Sequence, residues 1–180
     1  ILAVLAMKSL PLPKVVDFLL IPDGIRDPGN LGTLLRTAAA ADVQGVLLPP
    51  GSADSFAPKV VRSAMGAHFR LPIQAMAWEQ IQTLLKPPAP AAPVSLYLAD
   101  AKGELAYTQA DFRRSTALLI GGEASGAGSE ASRLADQRLY IPMPGGIESL
   151  NAAVAAAVLM FEVVRQRLKQ TTSKSTESAQ

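Results

Sequence analysis

Short aliphatic runs of strand length recur along the chain, at Ile1–Ala6, Val15–Ile21, Gly45–Leu48, Phe69–Ile73, Val94–Ala99, Thr116–Ile120 and from Leu139 to Ile141. Between them lie segments whose apolar residues repeat with helical spacing, at Leu31–Ala41, Phe56–Ala64 and Trp78–Leu85. Strands alternating with helices predict βα crossovers and hence an α/β fold with a mostly parallel sheet flanked by helices. Turn residues punctuate the pattern. Pro22 to Asn30 reads as a loop with Asn30 as the cap of the following helix, Met65-Gly-Ala-His68 reads as a turn, and Pro87 to Pro93 reads as a semi-rigid surface connector.

The pattern is densest between Leu139 and Lys169. Pro142 and Pro144 stop the strand at Ile141, and Gly145-Gly146 completes a tight turn. The longest helix follows, its first turn expected to carry Glu148, Ser149 and Asn151 beside free backbone N–H groups, a place suited to a polar or anionic ligand or simply to a capping serine. At 100° per residue, Leu150, Ala153, Val154, Ala157, Phe161, Val164 and Leu168 form one stripe, while Ala152, Ala155, Ala156, Leu159 and Val163 cover the other side. A helix apolar all round is buried on both faces. A second chain is the natural cover for one of them. Residues 171–180 are polar and aperiodic and are expected to form a disordered tail after a single domain spanning residues 1–170.

In the first of these helices Leu31, Leu34, Leu35 and Ala38 form the apolar stripe, whereas Arg36 lies about 140° from Leu31, on the side shared with Gly29, Gly32 and Ala40. That turns Arg36 away from the core, beside very small residues. After the strand at Thr116 comes Gly121-Gly-Glu-Ala-Ser-Gly126-Ala-Gly128, where glycines past a buried strand allow a ligand or another backbone to approach closely. It lacks the Gly-Lys-Ser/Thr of a phosphate-binding loop and is out of register with G-x-G-x-x-G. Taken alone, it reads equally well as a surface turn.

Composition removes several chemistries. The chain of 180 residues has no cysteine and one histidine, so disulfides, thiolate nucleophiles and zinc sites built on Cys or His are excluded, and no metal is expected. His68 reads as a turn or packing residue. A hydrophobic share of 49% with 5% aromatics suits an aliphatic interior. No apolar run reaches the roughly 18 residues of a membrane span, so the reading is of a soluble, cytoplasmic protein. The net charge of +2 is by itself a weak sign of a nucleic-acid partner. The chain begins with Ile1, and a preceding segment is expected.

Three segments taken in order carry more than any of them alone: Asn30-Leu-Gly-Thr-Leu-Leu-Arg36, Gly121-x-Glu123-x-x-Gly126, and Ile141-Pro-Met143 with Ser149-Leu-Asn151. Together with the Ser63-Ala-Met-Gly-Ala turn, and from about Phe18 to Leu168, they resemble the SpoU (TrmH-like) branch of the SPOUT RNA ribose 2′-O-methyltransferases. The chain departs from that pattern at Gly122, Ala124 and Glu148. The resemblance implies a C-terminal deep trefoil knot, S-adenosylmethionine as cofactor, and a homodimer formed through the C-terminal helix with each active site near the interface. It implies transfer of a methyl group to a ribose 2′-hydroxyl of tRNA or rRNA, with an N-terminal RNA-binding domain, common in relatives, lying outside this chain. By the same resemblance Gly121, Ile141, Met143 and Leu150 contact the cofactor, and Asn30, Arg36, Glu123, Ser149 and Asn151 serve RNA binding and methyl transfer, with Arg36 facing the methyl group. Two other readings stay open on the residues alone: a non-catalytic knotted RNA-binding protein, and a nucleotide-dependent oxidoreductase.

Overall fold

The computed structural model describes residues 10–90, 92–122 and 126–177. Its centre is a seven-stranded sheet of β1 (Phe18–Asp23), β2 (Gly45–Leu48), β3 (Ile73–Ala75), β4 (Ser95–Ala99), β5 (Leu105–Ala106), β6 (Thr116–Gly121) and β7 (Gln137–Tyr140), in the order β3-β2-β1-β6-β4-β7-β5. Every strand pairing is parallel. The strands read as continuous apolar runs because both faces of the sheet are covered. In β1, Phe18 and Leu20 join one core while Leu19 and Ile21 join the other, as a side-chain period of two demands.

Among the described residues five helices cover the sheet: α1 (Pro28–Ala40), α2 (Pro58–Ser63), α3 (Trp78–Leu85), α4 (Ser129–Leu134) and α5 (Ala152–Glu177). Helices α1, α2 and α5 pack over one face, through Leu31, Leu34, Leu35 and Ala38, Val60, and Ala153, Ala156, Leu159 and Met160. Ile81 and Leu85 of α3 and Ala131 of α4 cover the other face.

Several elements differ from the sequence expectation. Helix α1 starts three residues early because Asp27, not Asn30, is its cap: the Asp27 carboxylate accepts the Asn30 N–H at 2.8 Å and Pro28 fills the first turn. The run Phe69–Ile73 is not a strand over most of its length. Met65 and Gly66 turn with positive φ, residues Ala67–Phe69 form a single 3-10 turn, and the strand begins only at Ile73, after Pro72. Strand β1 continues through Pro22, whose missing N–H is tolerated while its carbonyl accepts from the Ser52 hydroxyl at 2.9 Å. The run Ile1–Ala6 lies outside the described residues.

The C-terminal helix begins at Ala152, so Glu148 and Ser149 precede it. Asn151 is the cap, its Oδ1 accepting the N–H groups of Ala153 at 2.9 Å and Val154 at 3.2 Å. At its far end the helix runs on to Glu177, where a disordered tail was expected from Thr171. No Gly or Pro stops it there. The two apolar faces are unequal. Ala152, Ala153, Ala156, Leu159 and Val163 are buried within this chain, whereas Val154, Phe161 and Leu168 are 49%, 50% and 64% exposed. The second half of the helix is tied down by Arg167, whose guanidinium donates to Asp17 Oδ1 at 2.6 Å and to the carbonyls of Asp17, Phe112 and Arg114, and lies 5.1 Å from the Phe18 ring centroid.

Candidate functional site

Parallel strands all end on one side, and ligands of α/β sheets bind beyond those carboxyl ends. Here β4, β6 and β7 end around a cleft of 710 Å³, within the size range of small-molecule sites. Leu98 and Ala99 of β4, Ile120 and Gly121 of β6 and Leu139 of β7 form its floor, and the segment after β7 closes it with Ile141, Met143 and the run Ser149 to Ala152. The Met143–Gly146 turn, closed by the Gly146 N–H on the Met143 carbonyl at 3.0 Å, lets the chain double back above the strand ends.

The glycines after β6 are spatial requirements. A Cβ on Gly121 would fall on the backbone of Gly126 and Ala127, and one on Gly122 would fall on the carbonyl of Gly24. The strand end and the returning loop therefore touch backbone to backbone, with the Gly126 N–H donating to the Gly122 carbonyl at 2.9 Å and Gly126 at φ 67°. Glu123 lies outside the described residues.

Of the residues singled out from sequence, Gly121, Ile141, Met143 and Leu150 line the cleft, and so do Ser149 and Asn151. Asn30 reaches its edge indirectly: Asn151 Nδ2 donates to Asn30 Oδ1 at 3.1 Å, linking the start of α1 to the start of α5. Arg36 is not on the cleft wall. It stands exposed on α1, on the side opposite the buried leucines. His68 packs as expected, its Nε2 donating to the Ser55 carbonyl at 2.7 Å and its ring 5.1 Å from that of Phe56.

Three charged residues escaped the sequence reading. Asp23, at the end of β1 and beside Gly121 in the sheet, is buried, and its Oδ2 accepts the Gly128 N–H at 2.7 Å. It braces the far end of the glycine loop. Asp100 and Arg138 form an ion pair of 2.9 Å on the cleft wall, and Asp100 Oδ1 also accepts the Lys102 N–H. The available signal was position: Asp100 and Arg138 lie just after and within strands that end at the cleft, and Asp23 ends the strand paired with β6.

Among the described residues no group of His, Asp and Glu is placed to hold a metal ion, and no helix is long and apolar enough to cross a membrane. The cleft offers apolar walls with backbone polar groups, the donor set that an adenine-bearing organic cofactor needs.

Residues 17–161 match the SpoU rRNA Methylase family. The chain is 39% identical to the mitochondrial rRNA methyltransferase 3A of Danio rerio, over 85% of this chain and 45% of that protein. It is 38% identical to the 23S rRNA (guanosine(2553)-2′-O)-methyltransferase RlmP of Bacillus subtilis, over 80% of this chain and 56% of that one. Among solved structures, the SpoU methyltransferase AviRb of Streptomyces viridochromogenes in complex with the cofactor AdoMet superposes with a TM-score of 0.82 at 34% identity, covering 87% of this chain and 60% of that one. The chain thus spans about half the length of the curated relatives it matches. The parallel sheet and the closing segment after β7 accord with the fold of these proteins. The chain belongs to the SpoU rRNA methylase family.

Proposed function

We propose that this chain is the catalytic domain of an S-adenosylmethionine-dependent methyltransferase acting on a ribose 2′-hydroxyl of ribosomal RNA, in the cytoplasm or an equivalent compartment. The observation that carries the reading is the cleft at the ends of β4, β6 and β7, where Gly121, Ile141, Met143 and Leu150 meet Ser149 and Asn151. The residues fit the cofactor: aliphatic walls for an adenine face, backbone N–H and C=O groups at the glycine loop and the Ile141–Met143 turn, and the Asp100 carboxylate for a ribose or an ammonium group. When bound, S-adenosylmethionine supplies a methyl group already activated by its sulfonium.

What remains for the protein is to hold the ribose hydroxyl in line and to stabilise the oxygen as it loses its proton. Arg36 is unsuited to be the base, since a guanidinium offers five N–H donors and no acceptor for a proton. Its role is to bind an RNA phosphate and the developing alkoxide. Asn30, held by Asn151, and Ser149 supply neutral polar contacts at the cleft mouth. We further propose a homodimer through the outward stripe of α5, where Val154, Phe161 and Leu168 leave apolar surface in water. Arg36 stands off the cleft of its own chain, which supports an active site completed at such an interface. The names of the relatives support ribosomal RNA as substrate and the intact polar set supports catalysis over binding alone. The test is to incubate the protein with ribosomal RNA and S-adenosylmethionine, digest the RNA and identify the nucleoside formed. A 2′-O-methylated nucleoside is expected, and a base-methylated product or none would refute the proposal.

A further inference from the structure

Beyond the cleft, one surface combines charge with exposed apolar side chains. Helix α2 crosses α1 at Gly32, where a Cβ would fall on Ser63. Arg36 stands one helical turn beyond that contact on the same side of α1, and α1 also touches the 3-10 turn Ala67–Phe69 that follows α2. The segment from Ser63 to Arg70 turns at Met65 and Gly66, with φ of 49° and 86°, and holds out two large apolar side chains, Met65 at 71% and Phe69 at 74% exposure. Lys59, Arg62 and Arg70 of the same stretch of chain are exposed as well. From Ser55 to Trp78, and along the whole of α1, the sequence has no Asp or Glu. Asp27, 3.9 Å from Lys59, is occupied as a cap, and Asp42 and Asp54 stand in the sequence at the flanking turns. The segment packed against α1 here thus carries Lys59, Arg62 and Arg70 and no acid, in a chain whose net charge is only +2.

An exposed phenylalanine among guanidinium groups is what a single strand of RNA requires, a π face for a base and cations for the phosphates on either side. A second copy of this chain would find like charge here, whereas on the α5 stripe Val154, Phe161 and Leu168 are exposed and the arginine among them, Arg165, is already paired with Glu162. We propose that Phe69, flanked by Arg62 and Arg70, is a docking platform on which single-stranded RNA stacks as it is led to Arg36. The proposal rests on the reading of the chain as an RNA methyltransferase and names the surface through which the substrate arrives.

The experiment is fluorescence anisotropy with a labelled oligouridine of about a dozen nucleotides, titrated at increasing KCl. Phe69→Ala should bind about tenfold more weakly with an unchanged salt slope, and Phe69→Tyr should restore binding to near wild type. A double Arg62→Gln, Arg70→Gln variant should lower the slope of log K against log salt by about 1.4, about 0.7 per phosphate contact. Both variants should keep wild-type affinity for S-adenosylmethionine in calorimetry. Wild-type affinity and slope in both would overturn the proposal, as would a wild type that does not bind this strand at low salt. Dissociation of an oligomer by Phe69→Ala in sedimentation would also overturn it, assigning the face to a protein partner. Should the variants lose binding as expected while the wild type transfers no methyl group to ribosomal RNA, the surface stands and the enzymatic reading falls. Should the wild type transfer methyl groups while its variants bind the strand normally, the enzymatic reading stands and the surface falls.

Discussion

Removal of the Asp23 carboxylate should loosen the cofactor cleft from a position outside its lining. Asp23 is buried and its Oδ2 holds the Gly128 N–H at 2.7 Å, a charge-assisted hydrogen bond worth about 1.5–3 kcal/mol. For a domain of this size each kcal/mol moves the Tm by about 2–4 °C, so Asp23→Ala should melt about 3–12 °C lower. The loop it braces carries Gly122, Gly126 and Ala127 into the cleft. If one or two of those residues must be reordered at each binding event, the cost is about 1–4 kcal/mol, or about five- to 900-fold in Kd for S-adenosylmethionine. Asp23→Asn keeps the acceptor without the charge and should recover about half of the lost Tm and most of the affinity. Scanning fluorimetry gives the first quantity and calorimetry the second. An Asp23→Ala protein that melts early yet binds S-adenosylmethionine with wild-type affinity would refute the reasoning, because the carboxylate would then support the fold without shaping the cleft.

Arg36→Ala should lower the methyl transfer rate by about two orders of magnitude with cofactor affinity and Tm almost unchanged, and Arg36→Lys should recover only a small part, as read in single-turnover assays. Gly121→Val should abolish S-adenosylmethionine binding in calorimetry and also lower the Tm, since the added side chain meets the Gly126 and Ala127 backbone. Phe161→Glu should convert dimers to monomers in sedimentation while the chain stays folded; Ala156 cannot serve that test because it is wholly buried within its own chain. The Arg165 guanidinium beside Glu162, with burial opposing it and Gln166 assisting, holds that carboxyl below the usual carboxylate range. A depressed folded-state pKa gives stability that is whole above the ordinary value of about 4.3 and fades as pH falls through the lowered one, so Glu162→Gln should flatten the fall of Tm with pH in that acid window.

Elements were legible in the sequence where one cause decided them. Strand β2 and helix α3 follow their apolar period and end where it ends. Strand β3 did not, because Phe69 and Leu71 have strand-like side chains but the backbone around them is set by the left-handed pair Met65–Gly66 and by Pro72. The cap of α1 was misplaced for a related reason. Asn30 and Asp27 are both good caps, and only the Pro after Asp27, which favours an extended residue before it and a helical one at its own place, separates them. Strand β5 and helix α4, of two and six residues, are too short to show a period at all.

For the site, legibility divided along a physical line. Gly121 and Ile141 stand where strands stop, with Met143 and Leu150 in the segment after β7, and strand ends are marked by Pro and Gly, so the chain announces the cleft locally. Asp23 and Gly128 are brought together over 105 residues of separation by the pairing of β1 with β6, and no local pattern contains that contact. Arg36 is a third kind. Its direction follows from the 100° turn of a helix, and the structure leaves it exposed as that turn requires, but what it faces depends on a surface that its own chain does not supply within the cleft. A residue of that kind reads in sequence as a solvated charge and in a single chain as one too. What sets it apart is its place one turn beyond the Gly32 contact, on a helix packed against the segment that carries Lys59, Arg62, Phe69 and Arg70, so on the docking proposal its chemistry is a property of what docks there.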